Sequence, residues 1–257
     1  MNHNNSNPIG VMDSGVGGIS VLRELVKLLP GEDFLYYGDS AHAPYGTKEV
    51  CEVVKYTRIA AEFLLEKGAK ALVVACNTAT SVAIPILRET YQSIPIIGIE
   101  PALKPAVLSG DHPRILVMAT PMTLEQEKFS NMMHFYEKDA NIVKVPCPGL
   151  VELIEAGLLE GNQLEAYLTD RFAPFDPERA DGIVLGCTHY PLIRGTIAKL
   201  FPNAAIFDGG YGTARQCRRR LEECALLSPK ESGGKVTFFN SKADPAILAL
   251  SQKLLDL

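Results

Sequence analysis

Two apolar runs of the same design limit what this chain can become. Residues Ala71-Leu72-Val73-Val74-Ala75 end at Cys76, Asn77 and Thr78, and Gly182-Ile183-Val184-Leu185-Gly186 end at Cys187, Thr188 and His189. Neither run alternates apolar with polar residues, so neither suits a sheet with one wet face. Short runs without a polar side read as strands covered on both faces, the environment of a parallel sheet between helical layers. Each stops at a small residue and then presents a thiol followed by hydrogen-bonding side chains. Polar chemistry is thereby placed at strand carboxyl ends, where open α/β sheets bind ligands.

The remaining sequence supplies the crossovers. Residues 9–12 form an apolar strand, Asp13-Ser14-Gly15-Val16-Gly17-Gly18 a glycine-rich turn, and 19–29 a helical pattern ended by Pro30-Gly31. A second strand at 34–37 runs into Gly38-Asp39 and the loop Ala43-Pro44-Tyr45-Gly46. Helical spacing covers 48–67, a helix is expected from about Thr80 or Ser81 toward Thr90, and 94–99 is a strand. From Arg114 the opening pattern returns: strand 114–119, helix 125–136, strand 142–145, helix 150–159, a loop over 171–179 and the second cysteine strand. After Asp208 come a helical pattern at 214–226, a strand at 235–239 and a helix at 245–255.

The expected fold is α/β, with two pseudo-symmetric lobes, each a mainly parallel sheet flanked by helices, and an active site in the cleft between them. The C-terminal tail is expected to return to the first half. That gives a discontinuous first lobe of residues 9–100 plus 208–257, a second of 101–207, and a disordered tail at 1–8.

A formal charge of -5 offers no general attraction for a nucleic-acid backbone, apart from a local patch at Arg218-Arg219-Arg220. No apolar run approaches the roughly 18 residues of a membrane span, and residues 1–8 lack a signal peptide's apolar segment. A cytoplasmic protein with no nucleic-acid or membrane partner is expected. The six cysteines form no CxxC pair and should be free thiols in a reducing compartment. Cys51, Cys147, Cys217 and Cys224 read as small core hydrophobes. Cys76 and Cys187 stand apart because both end buried strands in matching halves.

Two opposed thiols suit the inversion of a carbon centre through a planar carbanion. One base takes a proton from one face, and a different acid returns one to the other. A free thiol, with a pKa of about 8.5, is readily tuned so that one member is thiolate and the other thiol.

Asp13-Ser14-Gly15-Val16-Gly17-Gly18, Gly38-Asp39 with Ala43-Pro44-Tyr45-Gly46-Thr47-Lys48, Cys76-Asn77-Thr78-Ala79-Thr80 and Gly186-Cys187-Thr188-His189-Tyr190-Pro191 together resemble the signature of bacterial glutamate racemases, from residue 9 to about 208. The resemblance implies a two-base racemisation of L- and D-glutamate that needs no cofactor and no metal, supplies D-glutamate for peptidoglycan, and is carried out by a homodimer. It implies that Cys76 acts on the D-isomer and Cys187 on the L-isomer, with Asp13, Asp39, Glu155 and His189 in support. On the same presumed helix Glu152 competes with Glu155, and only the Leu-x-Glu spacing favours the latter. Substrate contacts are implied at Asp13, Ser14, Tyr45, Gly46, Asn77, Thr78, Thr188 and His189. Thr120 and Thr123 are further candidates on their hydroxyls. The bland reading of these Ser, Thr and Asn residues is helix capping, which is compatible with binding. The sequence departs from the family at Asp208-Gly209-Gly210, where a serine or similar residue commonly follows the aspartate.

Other readings remain open on sequence alone. The strand, glycine-rich turn and helix mimic a dinucleotide fingerprint, but Ser20 stands where its third glycine belongs and Asp13 would face a pyrophosphate. Cys76, Cys187 and His189 could hold zinc. A binding module that closes on an amino acid, and a racemase of another acidic amino acid such as aspartate, complete the alternatives.

Overall fold

In chain order the first part of the protein runs β1 (Ile9–Asp13), α1 (Ile19–Leu28), β2 (Phe34–Gly38), α2 (Val50–Glu66), β3 (Ala71–Val74), α3 (Asn77–Thr90) and β4 (Ile96–Gly98). The computed structural model describes residues 4–256. β1 and β3 are buried at every position, as uninterrupted apolar runs should be when helices cover both faces. β1 pairs in parallel with β2 on one side and β3 on the other, and β4 extends the sheet beyond β3. Asp13 closes β1 opposite Gly38, which brings the first two polar strand ends level.

The second unit contains α4 (Leu103–Val107), β5 (Arg114–Ala119), α5 (Pro121–Glu125), α6 (Glu127–Tyr136), β6 (Asn141–Pro146), α7 (Leu150–Glu155), α8 (Asn162–Phe172), β7 (Gly182–Leu185), α9 (Arg194–Leu200) and β8 (Ala205–Asp208). Its parallel sheet has the order β6-β5-β7-β8. The side-chain period of two sends Leu116, Met118, Ile183 and Leu185 into a core with α7, α8 and α9. Ile115, Val117, Ala119 and Val184 enter the core under α4 and α6 on the other face.

The architectural repeat is legible in the strand orders. The first sheet reads β4-β3-β1-β2-β9 and the second β8-β7-β5-β6 when taken in the same sense. In both, the opening strand is flanked by the second strand on one side and the cysteine strand on the other. The first sheet has one strand more.

That strand comes from the returning segment, α10 (Gly210–Glu223), β9 (Val236–Asn240) and α11 (Pro245–Leu255), in which β9 pairs in parallel with β2. The connection before β9 is sewn to the turn before β2. Gly234 N donates to Pro30 O, Phe34 N to Lys235 O, and Lys235 N to the Asp33 carboxylate. A Cβ on Gly234 would run into the Glu32 carbonyl oxygen. Glu32 itself is buried, accepting from Ser228 N at 2.7 Å and from Lys70 Nζ at 2.6 Å. Lys70 is fully buried and also donates to Asn5 O. The Lys235 N–H holds the Asp33 carboxyl below its ordinary value; burial, the next largest effect, opposes it, and Lys230 adds to the lowering.

The structure corrects several expectations. The returning segment joins the first unit at Gly210, because Asp208 is spent as the last residue of β8. Of the tail expected to be disordered, residues 1–3 lie outside the described residues. Residues 4–8 instead make a turn anchored by Lys70, whose N–H donates to Pro8 O. The helix expected near residue 80 begins at Asn77 and carries Pro85 inside it. The helix expected over 125–136 is broken at Gln126, whose extended backbone (ψ 138°) separates α5 from α6. Helices α4, α8 and α9 were not read from the sequence. The Arg218-Arg219-Arg220 patch is partly neutralised, with Arg218 on Glu222 and both Arg219 and Arg220 on Glu223. No helix among the described residues is long and apolar enough to cross a membrane.

Candidate active site

β3 delivers Cys76 to its carboxyl end, and the chain turns there directly into α3. Cys76 is the N-cap: its extended backbone precedes Asn77, and its sulfur accepts from Ala79 N at 3.5 Å. A sulfur at the start of a 14-residue helix sits where the backbone N–H groups and the helix dipole favour negative charge. Its other side meets Ser14 Oγ at 3.5 Å. Asn77 is 5% exposed, yet its amide nitrogen and oxygen have no partner among the described residues. Buried amides are nearly always hydrogen-bonded, so both polar atoms of this one remain available to a further hydrogen-bonding group. Thr78 is buried in the same first turn.

Asp13 lies at the end of β1, fully buried, and accepts from Gly15 N at 3.0 Å. The turn it opens approaches closely, since a Cβ on Gly18 would collide with the Asp13 side chain. Tyr36 Oη donates to Gly15 O at 2.8 Å and braces the turn from β2. Asp39 follows β2, with its N–H donating to Asp13 O. Tyr45 Oη donates to Asp39 Oδ2 at 2.6 Å, and His42 Nδ1 lies 2.8 and 3.0 Å from the two carboxylate oxygens. Burial first, then the Asp39 carboxylate, drive the Tyr45 phenol far above its ordinary range, so the phenol keeps its proton and acts as the donor. Gly46 follows in the short 3-10 turn Tyr45–Thr47.

The second cysteine is served differently. β7 delivers Cys187 to the corresponding strand end, but a 3-10 turn (Tyr190–Ile193), not a long helix, follows. The neighbour of its sulfur is His189, whose Nδ1 is 3.7 Å away. His189 is 1% exposed, and its Nε2 lies 2.6 Å from Glu155 Oε1. A side chain from α7 thus fixes an imidazole beside the thiol. Of the two glutamates on that helix, Glu152 is exposed and Glu155 makes this contact. Thr188 is buried beside it. Thr120 caps α5 through Thr123 N, and the two hydroxyls are 3.0 Å apart.

The other thiols are held differently. Burial pushes Cys147 and Cys217 up to about 12, as core positions should, whereas Cys51 and Cys224, expected in the core, are exposed at the ends of α2 and α10. Among the described residues no group of three or more His, Cys, Asp or Glu side chains could hold a metal ion. Sequence reasoning missed Tyr36 and His42. Tyr36 looked like any strand residue, whereas the spacing of three between Asp39 and His42 was a usable signal.

Comparison with known proteins places the chain. Residues 9–217 match the family model described as Asp/Glu/Hydantoin racemase. A glutamate racemase of Clostridium botulinum is 56% identical over 254 residues, covering 98% of each chain. Among solved structures, a glutamate racemase isoform of Bacillus anthracis superposes with a TM-score of 0.88 at 31% identity, covering 99% of this chain and 96% of that one. The Francisella tularensis glutamate racemase, solved in complex with D-glutamate, gives a TM-score of 0.85 at 30% identity, covering 98% and 95%.

Proposed function

The chain belongs to the Asp/Glu/Hydantoin racemase family, and on that premise we propose that it interconverts L- and D-glutamate with two cysteines and no cofactor. It is an amino-acid racemase, an isomerase. The observation that carries the mechanism is the placement of Cys76 and Cys187 at corresponding strand ends of two sheets with the same strand order.

In the proposed reaction Cys187, as thiolate, removes the Cα proton of L-glutamate, and Cys76, as thiol, gives a proton to the opposite face of the planar carbanion. The thiol and thiolate have then exchanged roles, and the reverse reaction starts at Cys76. The α3 N-terminus supports negative charge at Cys76, while His189, oriented by Glu155, exchanges the proton of Cys187. Asp13 and Asp39 support the Cys76 side. Ser14, Tyr45, Gly46, Asn77, Thr78, Thr120, Thr123, Thr188 and His189 supply the polar contacts to substrate. The unsatisfied amide of Asn77 is what a carboxylate or ammonium group of the substrate completes. The product serves peptidoglycan synthesis, in the cytoplasm, and the working form is a homodimer.

The test is exchange of the glutamate Cα proton in D2O by protein free of pyridoxal phosphate. Both enantiomers should acquire deuterium at Cα and racemise. Absence of exchange with either enantiomer refutes the activity. Racemisation that survives Cys76→Ala or Cys187→Ala refutes the two-base assignment.

A further inference from the structure

Asp39 is held by a group outside every motif used so far. His42 directs Nδ1 at both oxygens of the Asp39 carboxylate, at 2.8 and 3.0 Å. Its ring is stacked on Tyr56 from α2, with centroids 3.8 Å apart and planes 16° from parallel. Lys48 and Lys55 lie 6.0 and 5.6 Å from the Tyr56 ring centre. The imidazole is therefore fixed in plane and direction by a helix of the scaffold. Asp39 is 2% exposed, and Tyr45 already donates to its Oδ2. An ionised carboxylate only accepts, so Nδ1 carries a proton in this pairing. The pair reaches the Cys76 side through short links: Asp39 N donates to Asp13 O, and both Cys76 and Asp13 act electrostatically on Tyr45.

We propose that His42 is a positioning residue of the Cys76 half-site, its Nδ1–H clamped over Tyr56 and holding the Asp39 carboxylate in the orientation that Tyr45 shares. The proposal rests on the role given to Asp39 above. A carboxylate with a single donor could turn about its Cβ–Cγ bond, whereas donors from two directions fix its plane. Asp39 then presents one charge distribution to Asp13 and Cys76 throughout turnover.

The test uses two variants of the full chain that separate the donor from the stack. His42→Asn keeps an N–H near the place of Nδ1. His42→Phe keeps the ring on Tyr56 and removes the donor. His42→Phe should lower kcat roughly tenfold, the scale of one lost hydrogen bond, with KM changed less than twofold. The deuterium isotope effect should rise with Cα-deuterated D-glutamate and fall with the L-isomer, because only the step at Cys76 is slowed. His42→Asn should stay within about threefold of the unaltered protein, and Asp39→Asn combined with His42→Phe should be no worse than Asp39→Asn alone. Equal losses in the Asn and Phe variants, or an additive loss on Asp39→Asn, overturn the proposal. If Asp39→Asn lowers kcat and His42→Phe does not, the His42 proposal alone fails. If Asp39→Asn has no effect, the role of Asp39 and this proposal fail together.

Discussion

Glu155→Gln is the substitution that most directly tests how Cys187 is served. It exchanges the carboxylate oxygen 2.6 Å from His189 Nε2 for an amide of nearly the same shape, so packing in α7 is preserved. In the proposed reaction His189 takes the thiol proton and becomes an imidazolium, a charge that a carboxylate stabilises more than an amide does. A hydrogen bond to a charged group contributes roughly 1.5–3 kcal/mol, which predicts a loss in rate of roughly 10- to 150-fold. The Glu155 side chain is 21% exposed, so water screens part of its charge and the lower half of that range is expected. Enantiomers have equal free energy, so kcat/KM must fall equally in both directions. The asymmetry appears instead in the isotope effect, which should grow with Cα-deuterated L-glutamate and shrink with the D-isomer. The assay is NMR detection of Cα exchange in D2O beside polarimetry. A Glu155→Gln rate within threefold of the unaltered protein refutes the reasoning. So does a double variant with His189→Asn that is markedly slower than His189→Asn alone, since groups acting through one another are not additive.

Lys70→Met leaves Glu32 buried without its cation and should cost about 3–5 kcal/mol, a fall in Tm of roughly 6–20 °C by calorimetry. Adding Glu32→Leu should recover much of that loss, and a double variant worse than the single one would count against it. Cys147 and Cys217 carry raised values in the folded state, so the unfolded chain loses their protons first as pH rises. Their contribution is fully present below about 9 and is lost between about 9 and 12. Urea midpoints should fall across that window, and less steeply in Cys217→Ala. Asp33 has the opposite sign: its value is lowered, so the stability it lends is present above the ordinary carboxylate range and is lost as pH falls through its lower folded value. Acid should therefore loosen the β9 attachment, seen as faster amide exchange at Lys235.

The sequence by itself determined the layers and the positions of the two thiols. Short apolar runs without a polar face, bounded by turn signals, read as strands buried on both sides, and the turns after them place Asp13, Asp39, Cys76 and Cys187 at strand ends. Strand order, the start of α3 and the break at Gln126 depend on packing between distant segments, which local periodicity does not contain. Only the tertiary structure decided that Glu155, not Glu152, meets His189, because helix phase and the position of α7 against the second sheet set that contact. It also decided that β9 completes the first sheet, since the groups that hold its approach at Pro30, Glu32 and Asp33 are about two hundred residues away in sequence. The two thiols look alike in sequence. They differ in the fold because one caps a helix and the other is paired with an imidazole.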